Sequence, residues 1–245
     1  MPSENARTRG RLMTSTHIPG MPDRSLATDP RVHEALSALL TKARLAARWA
    51  GLPPSSLAGH HRILTSFLEC GAPPDTAEFP DELLDDLSQR DLVHVRDSKI
   101  SLTYPFSTKK TDFAVTVAGI GMYAVCAIDA LGVAAMAGRS AEVTCLCPIC
   151  QLPTHVSISA DGLTIENRST PDARVWTGVT KVGACAADSQ CKSMLLFRSP
   201  AHLDEWRRDQ SADMRGFGLS LEQGVQLGAG IFRPFLKRSA NEAKL

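Results

Sequence analysis

Two side chains with complementary chemistry lie three residues apart in an otherwise apolar run of the sequence. Cys126 and Asp129 belong to the segment 123–131, which reads YAVCAIDAL. Residues at positions i and i+3 share a face of a helix, so this spacing would present a soft nucleophile and a proton carrier to one point. Cys191, far downstream, is a second candidate thiol. The pattern predicts chemistry that uses thiolates and a carboxyl group together.

A separate group of cysteines has the spacing of a metal site. Cys145, Cys147 and Cys150 form a C-x-C-x-x-C pattern on a predicted turn after a strand, and Cys185 is available further along the chain. A Cys-Pro-x-Cys step is common in zinc sites, where three or four thiolates in tetrahedral geometry close a structural centre. These four cysteines predict a secondary or structural metal site, for zinc or for a metal relay. Five histidines are not expected to contribute, because none has metal-binding spacing to another: His60, His61, His94, His155 and His202.

Composition restricts the other classes of function. The chain has 245 residues, 43% of them hydrophobic, which is enough for a substantial core in one or two domains. A net charge of +1 gives no electrostatic footprint for nucleic acid or for an anionic membrane. The sequence has no membrane-spanning apolar run, and residues 1–24 lack the apolar segment of a signal peptide. With seven cysteines, concentrated in the second half, we predict a cytoplasmic protein without disulfides, a nucleic-acid partner or a membrane partner.

The elements that position the candidate residues begin after a predicted tail. Residues 1–29 are rich in Ser, Thr, Pro, Gly and Arg without a hydrophobic period, so we expect them to be mobile. Three short amphipathic helices and a hairpin at about 92–104 follow, and residues 30–105 therefore predict a winged-helix-like domain. An acidic face repels phosphate, so DNA binding is disfavoured by the residues of the third helix: Asp81, Glu82, Asp85 and Asp86.

The second half of the chain predicts an α+β domain. A buried helix is expected from Tyr123 to Met136, and a last helix from Leu219 to Leu236. Strands are predicted at 113–117, from 141 to 144, at 155–159 and at 194–197. The expected fold class is α+β, with the winged-helix-like domain packed on a mixed or antiparallel sheet. Residues 106–238 would form the catalytic core, and 239–245 a short tail.

The sequence around Cys126 resembles the core signature of the organomercurial (alkylmercury) lyases. The similar segments occur in the family's order: YPFS at 104–107, YAVCAIDAL at 123–131, Cys191, LFRSP at 196–200, DEW at 204–206, GLSL at 218–221, and the run 228–232. The resemblance extends over about residues 60–238. It implies a three-helix N-terminal region packed on a catalytic core. Cys185 lies six residues before Cys191 and competes with it for the match, but the stretch from Cys191 to Trp206 aligns without a gap.

The resemblance also implies a reaction, the protonolysis of a carbon–mercury bond that releases a hydrocarbon and mercuric ion. The family's two catalytic cysteines and catalytic aspartate match Cys126, Cys191 and Asp129. Mercury is soft and prefers thiolate sulfur, so two cysteines suit its capture. Cys126 would be the first mercury ligand, made more acidic by the start of its helix, and Cys191 the second. Asp129, whose protonated form is favoured by apolar neighbours, would shuttle the proton.

The implied enzyme takes an organomercurial substrate and belongs to mercury detoxification. It requires no cofactor beyond the zinc that the cysteine cluster suggests, uses an external thiol for product release, and supplies mercuric ion to a mercuric reductase downstream. Two alternatives stay open. One is a non-catalytic, thiol-rich metal-binding or metal-transfer protein on the same fold, and the other is a winged-helix metal-sensing regulator. The sequence does not distinguish alkyl from aryl substrates.

Overall fold

The computed structural model describes residues 20–42, 45–179 and 185–236. The predicted tail 239–245 and most of the predicted tail 1–29 lie outside these ranges. Residues 20–29 are packed rather than free, because the backbone N–H of Asp23 donates to the carbonyl oxygen of Gly230 at 2.7 Å and Ala27 is buried. This part of the expected tail therefore belongs to the folded structure. In the described ranges, no helix has the length and apolar character needed to cross a membrane.

Six α-helices of eight residues or more occur in the described chain, and the first three precede the sheet. Their bounds are α1 Pro30–Lys42, α2 Pro54–Cys70, α3 Asp81–Gln89, α4 Ala127–Ala137, α5 Pro200–Arg208 and α6 Leu221–Phe232. The helix α2 ends at Gly71, whose φ of +74° favours glycine. A 3₁₀ helix at Leu45–Arg48 follows α1, and another at Arg233–Leu236 follows α6.

Eleven strands form two antiparallel sheets in the described residues. Their bounds are β1 Val93–Arg96, β2 Lys99–Thr103, β3 Phe106–Ser107, β4 Phe113–Val117, β5 Ile120–Ala124, β6 Ala141–Leu146, β7 Pro153–Ile158, β8 Ile165–Arg168, β9 Arg174–Gly178, β10 Met194–Phe197 and β11 Gly216–Ser220. The larger sheet has the order β1-β2-β3-β5-β4-β6-β7-β8, and the smaller has the order β10-β9-β11. The fold is α+β with antiparallel sheets.

The predicted hairpin is continuous with the core sheet. Strand β2 pairs with β3, and β3 pairs with β5, so the hairpin extends the sheet whose strand β5 leads to Cys126. The helix α1 likewise packs against α6, which comes from the other end of the described chain. The residues assigned to two domains therefore share one sheet and one hydrophobic core.

The central helices α4 and α6 are in backbone contact. Every residue of α4 from Ala127 to Met136 is buried, and its small side chains allow α6 to approach closely. A Cβ atom at Gly228 would lie only 2.8 Å from the backbone nitrogen of Gly132. Glycine is required there because two helix backbones occupy the space of a side chain.

Two predicted helices begin later than expected. Tyr123 lies on β5, and the chain enters α4 only after Cys126, whose extended backbone (φ −150°, ψ 178°) makes it the N-cap. Leu219 lies on β11, and α6 begins after the N-cap Ser220. Apolar residues continue across the first junction, so the hydrophobic pattern alone did not locate the change from strand to helix there. At the second junction, Ser220 and Gln223 form a capping box that marks the start of α6.

Candidate active site

The first thiol lies at the junction of β5 and α4. The Sγ atom of Cys126 accepts a hydrogen bond from the backbone N–H of Asp129 at 3.5 Å. Cys126 is therefore the N-cap of α4, with Asp129 in the first turn. The two residues meet at the helix N-terminus, rather than along one helix face as the i, i+3 spacing had predicted.

The second thiol comes from the segment before β10. Cys191 opens a 3₁₀ helix at Cys191–Ser193, and its backbone N–H donates to the carbonyl oxygen of Ala186 at 2.9 Å. Its Sγ atom lies 4.0 Å from Oδ2 of Asp129. The ligand atoms of Cys126, Asp129 and Cys191 all lie within 4.8 Å of one another. The three residues are only 0%, 4% and 6% exposed, so the structure brings the sequence-predicted group together in a buried centre.

Burial controls the acidity of all three groups. It raises the pKa of Asp129 to about 7, although the hydrogen bond from Cys126 and the charge of Arg48 act in the opposite direction. Burial also raises the pKa of Cys126 well above its ordinary value, with further contributions from Cys191 and Asp129. The hydrogen bond with Cys126 lowers the pKa of Cys191, but burial and the Asp129 charge prevail and raise it. The sequence had predicted that the helix N-terminus makes Cys126 more acidic, but burial outweighs this effect and the pKa is raised.

A third sulfur atom completes the surroundings of Cys126. The Sδ atom of Met194, the first residue of β10, lies 3.6 Å from Sγ of Cys126. Met194 also lines a small cavity of about 40 Å³ that reaches Asp129 and Cys191. Thioether sulfur is a soft ligand type, so this side of the centre offers a soft metal a further contact. The sequence identified Met194 only as the start of a strand.

The cavity beside the centre is mainly apolar. Its walls include Ile128 of α4, together with residues from near both ends of the described chain: Leu39, Leu45, Phe232 and Phe235. An apolar wall suits an organic group and also excludes water from the polar residues.

Among the described residues, Arg48 is the cation that lines this cavity. Arg48 is buried, forms an ion pair with Asp91, and places its guanidinium 4.7 Å from the centroid of the Tyr104 ring. Its positive charge lowers the pKa of Asp129 and thereby limits the effect of burial. No sequence signal indicated a buried position for Arg48, since an arginine near the end of a helical pattern is usually exposed.

Asp91 attaches the Cys191 segment to the rest of the fold. Its Oδ2 atom accepts the backbone N–H of Ala186 at 3.1 Å, and its Oδ1 atom lies 2.7 Å from Nε2 of His94. The Tyr104 hydroxyl accepts the backbone N–H of Ala187 at 2.7 Å. These contacts hold the chain just before Cys191 against residues that follow α3.

The remaining predicted metal ligands do not form one group. Cys145 is buried in the main core, and Cys185 lies near His94, with Sγ 3.7 Å from Nδ1. Cys147 and Cys150 instead cluster with His202. Strand β6 ends at Leu146 and the chain then turns, which separates Cys147 from Cys145. The predicted four-cysteine site is therefore corrected to two cysteines and a histidine. Two of the histidines that were not expected to contribute, His94 and His202, do lie beside cysteines.

Cys147 has the environment of a thiolate. Burial raises its pKa, but hydrogen bonds outweigh this effect and hold the pKa below the ordinary value. The donors are the backbone N–H groups of Cys150, Arg198 and Ile149, together with the His202 ring.

Comparisons with known proteins agree with this arrangement. The model of the alkylmercury lyase family, MerB, matches residues 106–233, a segment that contains Cys126, Asp129 and Cys191. The crystal structure of the mercury-bound form of MerB2 superposes with a TM-score of 0.67 at 20% identity, covering 83% of this chain and 100% of that chain. At this identity the likeness shows the fold. Comparison with curated protein sequences gives no match.

The protein has an α+β fold, and the family match assigns it to the lyases. Because the matched segment is more than half of the 245 residues, the chain belongs to the alkylmercury lyase family. Its substrates are organomercurials, in keeping with that family.

Proposed function

We propose that this protein cleaves the carbon–mercury bond of an organomercurial cation by protonolysis, with Cys126 and Cys191 as mercury ligands and Asp129 as proton shuttle. The proposal rests on one observation above all, the burial of two thiols and a carboxyl group within 4.8 Å of one another. Such a site brings the metal ligands and the proton donor to the same bond, in a place from which bulk water is excluded.

The proposed steps conserve atoms and charge. The Cys126 thiol binds R–Hg⁺ and releases its proton, giving a neutral Cys126–S–Hg–R adduct. Cys191 then adds as a second sulfur ligand and transfers its proton to the Asp129 carboxylate, which increases the electron density on the carbon. Asp129 delivers this proton to the carbon as the carbon–mercury bond breaks. The products are R–H, Hg²⁺ held by two thiolates, and the proton released in the first step.

Product release requires chemistry from outside the chain. Mercuric ion held by two thiolates is displaced by thiol exchange, so an external thiol is the expected acceptor, and a mercuric reductase is the expected consumer of the product. No resident cofactor is required by these steps. The seven free cysteines support a reducing, cytoplasmic location.

We also propose that residues 30–105 serve as a winged-helix-like packing unit for the core at 106–238. The third helix, α3, turns Leu84 and Leu87 into the core and exposes Asp81, Glu82 and Asp85. An acidic surface opposes phosphate, which supports a structural role over DNA binding.

The test is incubation of the reduced protein with phenylmercury and excess thiol, followed by measurement of benzene and mercuric ion. We expect multiple turnovers in the wild type and in Cys70→Ala, whose cysteine is exposed and outside the site. We expect none in Cys126→Ala or Cys191→Ala. An active Cys126→Ala protein would contradict the assignment.

A second candidate function is metal handling without catalysis, which the cluster of Cys147, Cys150 and His202 supports. The same assay separates the two functions. Tight binding of phenylmercury without benzene release by the wild type would favour the metal-handling protein.

A further inference from the structure

The cluster of Cys147, Cys150 and His202 lies apart from the proposed catalytic centre. Cys147 and Cys150 occupy the turn between β6 and β7, whereas His202 lies in the first turn of α5. The Sγ atom of Cys147 is 3.4 Å from Nδ1 of His202, and the three ligand atoms lie within 4.8 Å of one another. Segments more than 50 residues apart in the sequence thus bring three soft or borderline metal ligands to one point.

The turn is shaped around Cys147. The backbone N–H of Gln151 donates to the Cys147 carbonyl oxygen at 2.9 Å, and the Cys147 N–H donates to the Leu152 carbonyl oxygen at 3.1 Å. Gln151 has a φ of +57°, which reverses the chain directly after Cys150. This fold directs the N–H groups of Ile149 and Cys150 at the Cys147 sulfur. A non-glycine residue in the left-handed region costs energy, so the turn is held by specific contacts.

The histidine side of the cluster is held independently. Ser199 is the N-cap of α5, and its Oγ atom accepts the backbone N–H of His202 at 3.2 Å. The guanidinium of Arg198 donates to the Pro153 carbonyl oxygen at 2.6 Å, which joins the end of β10 to the start of β7. Both halves of the cluster are therefore positioned by protein contacts alone, as a preformed site requires.

We propose that Cys147, Cys150 and His202 bind one zinc ion, with the fourth coordination position open to solvent. Two ligands of a tetrahedral zinc ion, with Zn–S near 2.3 Å and Zn–N near 2.0–2.1 Å, lie roughly 3.5 Å apart. The observed sulfur–nitrogen distance of 3.4 Å meets this requirement. Two thiolates and one imidazole are also a donor set that zinc prefers.

The site differs in chemistry from the Cys126 centre. Its three groups contain no carboxyl group, whereas Asp129 supplies one to the proposed proton shuttle. The two centres lie toward opposite ends of β10, because Met194 at its start contacts Cys126 and Phe197 at its end packs with Cys147. At about 3.4 Å per strand residue, these two side chains start roughly 10 Å apart. Zinc would thus join the β6–β7 turn to α5 without entering the catalytic cavity.

The other mixed cluster in the described residues is a weaker metal site. Asp91, His94 and Cys185 also lie within 4.8 Å of one another. The Asp91 carboxylate, however, is already engaged by Arg48 and by the backbone N–H of Ala186. A metal ion there would compete with these contacts.

The test is metal analysis of the full-length protein after zinc loading and exhaustive dialysis. We expect about one zinc per chain in the wild type and less than about 0.1 in Cys150→Ser and His202→Ala, because two protein ligands hold zinc poorly. His202→Cys, which retains three ligands, should keep the zinc. Cys145→Ser and the double variant Cys126→Ser/Cys191→Ser are the matched controls, and both should bind zinc normally.

Thermal unfolding gives a second readout that does not depend on catalysis. Addition of a zinc chelator should lower the Tm of the loaded wild type by several degrees, because zinc binds the folded state, and should leave His202→Ala unchanged. The proposal is overturned if the wild type retains no zinc, if it retains mercuric ion but not zinc, if His202→Ala retains full zinc, or if Cys145→Ser loses it. The phenylmercury assay tests the lyase reaction independently, so a failure of the zinc proposal can be distinguished from a failure of the proposed function.

Discussion

The pKa of Asp129 differs from that of an aspartate in water, which is charged at neutral pH. Burial raises its pKa to about 7, and Arg48 limits the rise by favouring the charged form. At neutral pH the carboxyl group therefore exchanges between its protonated and charged forms. A group in this range can take a proton from a thiol and return it to carbon within one reaction cycle.

Asp129→Asn should retain phenylmercury binding, because both thiols remain, but should lower the rate of benzene release about 10³-fold in a single turnover. In the wild type, this rate should fall as the pH falls through about 7, since a carboxyl group that is already protonated cannot take the proton of Cys191 in the proposed step. Rapid-quench measurement of benzene across pH tests both statements. If Asp129→Asn shows the same pH dependence of benzene release as the wild type, Asp129 does not take part in the reaction.

The contact between α4 and α6 holds the catalytic helix by its backbone. A Cβ atom at Gly228 would meet backbone atoms of Gly132 and the Ile128 carbonyl oxygen at 2.8–2.9 Å. These neighbours belong to a helix that is buried throughout and cannot shift independently. At Gly230, two residues further along α6, the nearest atom would be 3.4 Å from a Cβ, which is an ordinary contact.

Gly228→Ala should therefore destabilise the protein by about 2 kcal/mol, because the added methyl group overpacks a backbone contact. Gly230→Ala is the matched control and should be neutral or stabilising by up to about 1 kcal/mol, since alanine favours the helix. Urea unfolding of both variants gives the comparison. Equal stability of the two variants would mean that α4 and α6 separate easily at this point.

The secondary structure could be predicted where hydrophobic period and boundary signals agree. The strand at Phe113–Val117 and the end of α2 at Gly71 are such cases, and both are confirmed. The predicted start of a helix at Tyr123 was wrong, because apolar residues continue on both sides of the N-cap Cys126, from the end of β5 into the start of α4. Cysteine is not among the common N-cap residues, so no local signal marked the boundary.

The active site as a whole required the three-dimensional fold. Cys126 and Asp129 lie in one short segment, and the family resemblance added Cys191. Arg48 reaches the site from a distant segment, and Met194, in the same segment as Cys191, contacts Cys126 across 68 residues. Neither residue type by itself indicates a position beside a thiol. His202 approaches Cys147 in the same way, across 55 residues. Sequence spacing reports local neighbours, and these contacts depend on tertiary packing.

Asp91 connects three parts of the molecule. Arg48 precedes α2, Asp91 follows α3, and Ala186 belongs to the segment that leads to Cys191. Asp91→Asn should destabilise the protein by about 3 kcal/mol, because it leaves the buried Arg48 charge without its partner. Asp86→Asn, which breaks the more exposed ion pair with Arg90, should cost below about 1 kcal/mol.

Urea unfolding of the two asparagine variants tests this difference. Alkylation of Cys191 should also become faster in Asp91→Asn than in Asp86→Asn, since the segment before Cys191 loses an anchor. If both variants lose the same stability, Asp91 does not join the N-terminal helices to the site.

The walls of the catalytic cavity come from residues near both ends of the described chain, Leu39 and Leu45 on one side and Phe232 and Phe235 on the other. Cys126 is wholly buried, whereas Cys70 is exposed. Capture of a mercurial at Cys126 therefore requires a prior opening of the structure, so its rate should level off at high reagent concentration. Labelling of the exposed Cys70 has no such step, so its rate should rise in proportion to reagent concentration. Comparison of the two cysteines in one protein therefore gives the rate of the opening motion.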